Sequence, residues 1–225
     1  MDGTVQRVLA IDAALAACSA AVLVDGEIAA ERFETMARGH AERLLPMVRE
    51  TMSAAGLDFE SVELIAVTIG PGHFTGLRVG LAAAQGLSLA SSRPLAGVTT
   101  LEAVAAAASA DGLLAVALES KRADLYLQLF ASGEALTEPL AMMPAQLATF
   151  AWPEGEVALA GDGAARLAPI LAAAGRKSRR LGPDGPNAAA VARIAAARHA
   201  TAAALAAEPL YLRPPDVTFP KDRRR

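Results

Sequence analysis

The chain has 225 residues, of which 53% are hydrophobic, but 55 alanines supply nearly half of that total and each adds little burial energy. Its longest stretch without Asp, Glu, Lys or Arg, residues 139–153, is shorter than the about 20 apolar residues of a membrane-spanning helix, and its N-terminus lacks the apolar run of a signal peptide. With 21 basic and 24 acidic residues and one cysteine, Cys18, the chain has no overall attraction for nucleic acid and no internal disulfide, so we expect a cytoplasmic globular protein.

The first half of the chain alternates strands with helices. Three short apolar runs, Val8–Asp12, Ser19–Val24 and Ile28–Phe33, predict antiparallel strands, because Asp25-Gly26 is a strong two-residue hairpin signal. The pattern then predicts an amphipathic helix (His40–Ala55), a buried strand (Leu64–Ile69) and a glycine-rich loop (Gly70–Gly80) that leads into an alanine-rich helix (residues 81–90). A strand (Leu95–Val98) and a helix (Thr99–Ala108) follow.

The second half repeats this order in weaker form. Three strands and a helix are predicted at Leu113–Leu118, Leu125–Phe130, Val157–Ala160 and Ala164–Ala174. We expect Asn187 to cap a helix that runs to about Ala206, and Leu210–Arg213 to be extended. The sequence therefore predicts an α/β protein of two structurally similar halves.

The most unusual segment is Gly70–Gly80, between a buried strand and a helix. Backbone amides at such a turn can face an anion. The spacing fits neither phosphate motif, however, because Thr75 stands where a dinucleotide fingerprint has its third glycine and Gly76–Arg78 replaces the Gly-Lys-Ser/Thr of a Walker A loop. Two interpretations stay open from spacing alone: a turn whose glycines allow close packing, and an exposed interaction surface that uses Phe74 and Arg78.

Four stretches of the chain carry a family resemblance. Residues 70–78 read Gly-Pro-Gly-His-Phe-Thr-Gly-Leu-Arg, residues 40–46 read His-Ala-Glu-Arg-Leu-Leu-Pro, residues 9–12 with Cys18-Ser19 form a first strand pair, and residues 209–213 read Pro-Leu-Tyr-Leu-Arg. In this order along residues 8–213 they resemble the TsaB (YeaZ-type) branch of the TsaB/TsaD family of tRNA threonylcarbamoyladenosine biosynthesis proteins. His73 stands where the family signature has serine.

The resemblance implies the α/β fold of actin, the Hsp70 ATPase domain and sugar kinases (the ASKHA fold), in which two related lobes each contain a mixed sheet. The second lobe is expected to be degenerate. The expected division is residues 1–105 for the N-terminal actin-like lobe, completed by residues 207–225, and residues 106–206 for a smaller C-terminal lobe.

In that superfamily the aspartate at the end of the first strand approaches metal and nucleotide phosphates, which makes Asp12 the candidate cofactor-binding residue. The loop after it, Ala13–Ala17, has no hydroxyl group, so a bound magnesium-phosphate would lack its usual partners. The catalytic relative TsaD holds a metal with a His-x-x-x-His pair on a helix, whereas the corresponding helix, Thr99–Val104, has no histidine. We therefore expect no catalytic residue, no metal and no cofactor, with ATP or ADP and metal belonging to partner subunits.

Other reactive side chains give no stronger candidate. Cys18 lies in an apolar strand, and His40 and Glu42 do not face each other on a helix because they are two residues apart. Where the family has an Asp-Ala-Arg-Met-like stretch, residues 119–122 read Glu-Ser-Lys-Arg. Two basic clusters, Arg176–Arg180 and Lys221–Arg225, are interpreted either as tRNA-phosphate contacts or as a solvated loop and tail.

The resemblance implies a non-catalytic subunit for threonylcarbamoyladenosine (t6A) modification at adenosine 37 of tRNA. Its implied partners are TsaD, which it would bind and stabilise or activate, the ATPase TsaE, tRNA through the complex, and a second copy of itself. The expected partner-binding residues are Leu44, Leu45, Val48, Met52, Gly70, Pro71, Gly72, His73, Phe74, Thr75, Gly76, Leu77 and Arg78. The first four could instead belong to the core of this chain.

Two alternative functions remain open at this point. The first is a free-standing enzyme, either an ASKHA-type phosphotransferase or a metallopeptidase-like protein, and the missing hydroxyl groups and histidine pair count against it. The second is a direct RNA-binding module that uses Arg176–Arg180.

Overall fold

The computed structural model describes residues 5–213, which form two α/β lobes with one mixed sheet each. The elements of the first half are β1 (Arg7–Asp12), β2 (Ala17–Val24), β3 (Glu27–Thr35), α1 (His40–Ala54), β4 (Leu64–Thr68), α2 (Phe74–Ser91), β5 (Leu95–Val98) and α3 (Thr100–Ala108). Those of the second half are β6 (Leu113–Glu119), β7 (Leu125–Ala131), β8 (Glu134–Ala135), β9 (Leu140–Met142), α4 (Pro144–Ala148), β10 (Val157–Ala160), α5 (Ala164–Ala173), β11 (Ser178–Arg180) and α6 (Ala188–Ala200). Within residues 5–213, no helix combines the length and hydropathy that a bilayer span requires.

The first sheet has the strand order β3-β2-β1-β4-β5, in which β1, β2 and β3 are antiparallel and β4 and β5 run parallel to β1. The predicted hairpin is confirmed, since Asp25 and Gly26 close it with φ values of 50° and 86°. Leu9 and Ile11 of β1 face α1 and α2, whereas Val8 and Ala10 face α6. Because helices cover both faces, the buried residues of the central strands β1 and β4 are apolar except for Asp12 and Thr68 at the strand ends.

The second sheet has the order β11-β10-β6-β7-β8, with β9 also paired to β7. Its strand arrangement is similar to that of the first sheet, because an antiparallel pair, β6 and β7, is followed by β10, which runs parallel to β6. Leu167 and Leu171 of α5 cover one face, and Leu101 and Val104 of α3 cover the other. The prediction of two similar halves is confirmed, although β8, β9, α4 and β11 were not predicted.

The two helices near the lobe boundary pack differently from the predicted division. The limits of 1–105 and 106–206 stay a prediction, but α6, which that division assigned to the second lobe, packs on the first sheet. Its alanine-rich side lies close enough for the Ala188 amide to donate to Ser19 Oγ at 2.9 Å. Conversely, α3 covers the second sheet. The helices therefore cross over between the lobes, and Arg198 of α6 pairs with Glu102 of α3.

Two predicted boundaries are wrong. The helix after the glycine-rich segment begins at Phe74, so Gly76 and Gly80 lie inside α2 rather than in a loop. α6 is capped by Asn187 as predicted but ends at Ala200 instead of near Ala206. It ends early because the chain reverses at Ala202, and the Gly97 amide of β5 then donates to the carbonyl of Leu205 at 2.8 Å.

The last predicted segment, Leu210–Arg213, returns to the first lobe. The Leu210 amide donates to the Ile69 carbonyl at 2.7 Å, and the Leu210 side chain packs on the core between the sheet, α1 and α2. The part of the predicted lobe completion at 214–225, with the basic cluster Lys221–Arg225, lies outside the described residues.

Candidate partner-binding site

The turn between β1 and β2 is covered by glycines of the glycine-rich segment. A Cβ added at Gly76 would lie 2.1 Å from the carbonyl oxygen of Ala13, and one added at Gly72 would lie 2.4 Å from that of Ala14. No side chain fits in either place, because real Cβ contacts do not come below 3.0 Å. The close-packing interpretation of the glycines is thus supported by the geometry.

Two polar contacts hold the same turn. The His73 amide donates to the Ala14 carbonyl at 2.7 Å, and His40 Nε2 lies 2.9 Å from the Leu15 carbonyl oxygen. The motif that begins at His40 and the glycine-rich motif therefore meet on one short turn. The Ala14 and Leu15 carbonyls of the turn are therefore engaged by groups of the chain itself.

Asp12, the candidate cofactor-binding residue, is enclosed beneath this turn. Its Oδ1 accepts hydrogen bonds from the Ala14 amide at 3.0 Å and from Thr68 Oγ1 at 2.7 Å, while its Oδ2 has no hydrogen-bond partner among the described residues. Complete burial raises the pKa of Asp12 from 3.8 to about 6. A carboxyl group held in this way behaves as an internal polar group of the fold.

The residues around Asp12 do not fit a magnesium-bound nucleotide. The turn supplies only alanine and leucine side chains, and the N-terminal end of α2 covers it. Among residues 5–213, no three side chains of the His, Cys, Asp and Glu types come together closely enough to hold a metal ion. The expected absence of a metal and a cofactor stays a prediction, which these contacts favour.

The closing motif contacts the glycine-rich motif across the surface of the first lobe. Tyr211 accepts a hydrogen bond from Arg78 Nε at 3.3 Å, and its ring centroid lies 6.3 Å from that of Phe74. The Arg78 guanidinium lies over the Phe74 ring, 3.7 Å from the centroid, in cation–π geometry. Phe74 and Tyr211 remain 56% and 49% exposed. These three residues form a preorganised surface cluster of the types that dominate binding energy at interfaces.

The outward side of α2 extends away from this cluster, and none of its residues beyond Arg78 is charged. We define the α2 face as the exposed residues of α2, namely Phe74, Thr75, Arg78, Ala82, Gln85, Gly86, Leu89 and Ala90. Arg78 is its one charged member. A helix with one charged residue among eighteen differs from an ordinary solvated helix, whose outer side is polar. The α2 face is therefore a candidate docking surface.

The expected partner-binding residues on α1 divide into two groups. Leu44, Val48 and Met52 are buried in the core between α1 and the first sheet, so the prediction that they anchor a partner is wrong. Leu45 is 48% exposed and remains available. The amphipathic pattern could not separate these uses, since Leu45 is only one residue, about 100°, away from Leu44 around the helix.

Within the glycine-rich segment, exposure is similarly selective. Phe74, Thr75 and Arg78 are exposed, and Gly72 and His73 are partly exposed, whereas Gly70, Pro71, Gly76 and Leu77 are buried. The buried members shape the segment: a Cβ at Gly70, where φ is 106°, would lie 3.0 Å from the Leu210 carbonyl oxygen. These buried residues therefore present no exposed surface of their own to a partner.

A cleft of about 1020 Å³ separates the glycine-rich segment from the second lobe. His40, His73 and Arg78 line its first-lobe wall, and Lys121 and Tyr126 line the opposite wall. Burial, with smaller contributions from Lys121 and His40, lowers the pKa of His73, so this imidazole is neutral at pH 7. Its Nε2 is buried and makes no hydrogen bond with the described residues.

The remaining candidates have structural explanations. Cys18 is buried, and burial raises its pKa to about 12, so the thiol is unreactive. The basic cluster at 176–180 is mostly paired, because Arg176 donates to the carbonyl of Pro153, Arg179 pairs with Glu156, and Arg180 pairs with Asp184. These pairs favour the solvated-loop interpretation over contact with RNA.

Sequence reasoning missed the roles of two arginines, one that connects the lobes and one that fixes a turn of the second lobe. Arg213 lies 2.8 Å from Asp124 Oδ2, and this carboxyl group is completely buried in the second lobe. Arg166 fixes the 119–124 turn through the Glu119 carboxylate and the carbonyls of residues 122–124. The closing motif did draw attention to Arg213, but nothing in the sequence paired it with a residue nearly ninety positions earlier.

Comparison with known proteins gives a consistent assignment. The model of the family "TsaD: tRNA N6-adenosine threonylcarbamoyltransferase" matches residues 29–209. The tRNA threonylcarbamoyladenosine biosynthesis protein TsaB of Escherichia coli (strain K12) is 43% identical over 99 residues, which are 44% of this chain and 42% of that protein. The aligned part thus spans less than half of the curated TsaB relative.

Solved structures agree over a longer span. YeaZ from Pseudomonas aeruginosa has a TM-score of 0.78 at 28% identity, and a structure described as similar to the peptidase YeaZ, from the same organism, has 0.81 at 28%. Both matches cover 92% of this chain and 100% of the other. Component A of the (R)-2-hydroxyglutaryl-CoA dehydratase of Acidaminococcus fermentans, at 12% identity and a TM-score of 0.52, covers 87% of this chain and 99% of that one and shares the fold alone. The predicted actin-like fold of two lobes is confirmed.

Proposed function

The chain belongs to the family of the tRNA N6-adenosine threonylcarbamoyltransferase TsaD and its TsaB relatives, and on this premise we propose that it is a non-catalytic subunit in t6A modification of adenosine 37 of tRNA. In this role it binds TsaD and stabilises or activates it. ATP or ADP and the metal belong to the partner subunits, and TsaE and tRNA join through the complex.

The observation that carries the proposal is the α2 face with its Phe74–Arg78–Tyr211 cluster. The cluster is held by a hydrogen bond and a cation–π contact before any partner arrives, so little side-chain entropy is lost on binding. Leu45 lies on α1, which packs beside α2 on the same side of the first sheet. The α2 face offers aromatic and arginine anchors among small, uncharged residues, and Leu45 adds an exposed aliphatic side chain on the neighbouring helix.

The non-catalytic part of the proposal is supported by the covered β1–β2 turn. Catalysis of phosphoryl transfer in this fold needs phosphate oxygens and a metal beside the first-strand aspartate. Here Gly72 and Gly76 fill that approach, and the Asp12 carboxyl group is engaged by Ala14 and Thr68. The glycine-rich segment that covers the turn continues into α2, and the outer side of α2 is the proposed docking face. The covered turn and the docking face therefore belong to one continuous segment.

The proposed interface is tested by the affinity of the full chain for TsaD of the same organism. We expect Leu45→Glu and Phe74→Glu each to weaken binding at least tenfold, because each buries a charge in the interface. The matched control is Leu136→Glu, which changes a leucine of similar exposure, 52%, in the second lobe and should leave affinity within twofold. Folded Leu45→Glu and Phe74→Glu variants that bind as well as wild type would show that the interface is elsewhere.

The enzyme alternative makes a separate prediction. A free-standing phosphotransferase or metallopeptidase-like enzyme would turn over its substrate as a purified single chain, and loss of Asp12 would abolish that turnover. We expect no nucleotide hydrolysis above background with or without added divalent metal. Robust hydrolysis that disappears in Asp12→Ala would replace the subunit proposal with the enzyme.

A further inference from the structure

The interlobe cleft is lined by groups of predominantly one charge. Among the described residues, its charged lining apart from the two histidines consists of Arg38, Arg78, Lys121, Arg122, Arg213 and one acidic residue, Glu42. This excess of positive charge is local, since the chain as a whole has a net charge of −3. A concave cleft with walls of one sign concentrates the field and attracts the opposite charge.

Among residues 5–213, two of these cations make neither an ion pair nor the cation–π contact that engages Arg78. Arg38 and Lys121, on opposite lobes, make no ion pair within 4.0 Å among residues 5–213, whereas Arg213 is neutralised by Asp124. The N-terminal end of α2 also borders the cleft through His73–Gly76, and no side chain caps this end and no acidic residue lies in its first turn. The partial positive charge of an 18-residue helix therefore adds to that of the side chains.

We propose that the cleft receives an acidic segment of the protein that docks on the α2 face, so that carboxylates of this segment lie between Arg38 and Lys121. This inference rests on the proposed function and adds the chemistry of recognition. Phe74 and Arg78 belong both to the α2 face and to the wall of the cleft, so a protein bound on the face is within reach of it. Phe74, Tyr126 and Tyr211 supply apolar surface for the aliphatic part of the segment.

Other occupants match the cleft less well. The last residues of this chain, 214–225, contain Lys221 and Arg223–Arg225 against Asp216 and Asp222, so this tail has the same sign as the cleft. A nucleotide would find the β1–β2 turn, the phosphate position of the fold, already covered by Gly72 and Gly76. Carboxylates presented on a peptide need only the cations and the open volume.

The chain is well suited to a direct test, because its three lysines are Lys121, Lys177 and Lys221. A carbodiimide joins a lysine amine to a carboxylate only when the two are in contact. We expect this reagent, applied to the complex of the full chain with TsaD, to link Lys121 to a Glu or Asp of TsaD, and mass spectrometry identifies the linked peptides. Exposed Lys177 in the second lobe is the internal control and should not be linked to that segment.

Charge reversal gives a second readout. We expect Lys121→Glu and Arg38→Glu each to raise the Kd for TsaD at least tenfold at low salt and to flatten its salt dependence, whereas Lys177→Glu stays within twofold. If wild type binds TsaD but both cleft variants bind equally well and Lys121 forms no cross-link to TsaD, the acidic-segment inference is overturned and the proposed function stands. If the wild-type chain does not bind TsaD, the acidic-segment inference and the proposed function are both overturned.

The competing occupants give distinct results. Calorimetric titration of the full chain with ADP, ATP and pyrophosphate should show no binding that Lys121→Glu abolishes, and such binding would make the cleft a phosphate site instead. Sedimentation should give the same oligomeric state for wild type and Lys121→Glu. A self-association that the variant abolishes would mean that a second copy occupies the cleft.

Discussion

The two lobes each secure the turn that follows their first strand, but they do so by different physical means. In the first lobe, Gly72 and Gly76 allow the glycine-rich segment to pack directly against the backbone of Ala13 and Ala14, and the turn contains no charge. In the second lobe, Gly161 presses against the Ala117 carbonyl, at 2.1 Å from an added Cβ, but the turn itself is held by the guanidinium of Arg166. One turn is fixed by shape and the other by charge.

The two lobes also differ in what they present outward. The helix that covers the first-lobe turn has an almost uncharged outer side, which is the candidate docking surface. The second-lobe turn, residues 119–124, needs Arg166, and its amide at Glu119 donates to Asp162 Oδ1 at 2.9 Å. Lys121 and Arg122 then remain at the rim of the cleft. Similar architecture is thus combined with an apolar candidate docking face on one lobe and a polar wall on the other.

The largest expected effect comes from adding a methyl group to the shape-fixed turn. We expect Gly76→Ala to lower the free energy of unfolding by about 3 kcal/mol, because its Cβ would overlap the Ala13 carbonyl and α2 would have to move. Gly86→Ala is the control on the same helix: nothing lies within 4 Å, so replacing a helical glycine should raise stability by about 0.5–1 kcal/mol. Urea denaturation of both variants measures the difference, and equal stability would contradict fixation by shape.

Burial of Asp12 beneath the same turn predicts a pH dependence. The folded chain keeps the Asp12 proton up to about pH 6, whereas the unfolded chain releases it near 3.8, so stability falls as pH rises between these values. Relative to Asp12→Asn, wild type should lose about 3 kcal/mol of unfolding free energy between pH 3 and pH 7. Denaturation of both proteins across this range isolates the effect from other carboxyl groups. A constant difference would mean that Asp12 is not buried as described.

The charge-fixed turn should respond to loss of Arg166. We expect Arg166→Met to lower the free energy of unfolding by about 1.5 kcal/mol, since the guanidinium bonds to the Glu119 carboxylate and backbone carbonyls of the turn are lost at a half-buried site. High salt should reduce the difference in unfolding free energy between Arg166→Met and wild type. The corresponding difference for Gly76→Ala should not depend on salt. Arg179→Met, which breaks an exposed pair with Glu156, is the control and should change stability by less than about 0.5 kcal/mol.

Much of the fold follows from short-range patterns. The apolar run at Val8–Asp12, the Asp25-Gly26 turn and the capping by Asn187 each depend on local chemistry that the sequence displays. The predicted start of α2 is too late because glycine is a poor helix former, and only contact with Ala13 explains why Gly76 is required inside a helix. The local preference is overridden there by packing between segments more than sixty residues apart.

The candidate site was predictable only in part for a similar reason. Periodicity identified the amphipathic helix α1 but could not tell that Leu44 faces the sheet and Leu45 faces outward. Phe74 and Arg78 stood out by their motif, whereas their contact with Tyr211 joins positions more than a hundred residues apart. The cleft and its charge need both lobes, which no pattern along the chain brings together.

The central claim is that the α2 face of the first lobe is the main docking surface for TsaD. Hydrogen–deuterium exchange of the full chain with and without TsaD tests it most directly. We expect binding to slow exchange in Phe74–Ser91, most strongly in the first turn of α2, and to leave α5 and β11 of the second lobe unchanged. Protection confined to α5 and β11, with α2 unaffected in a saturated complex, would contradict the claim.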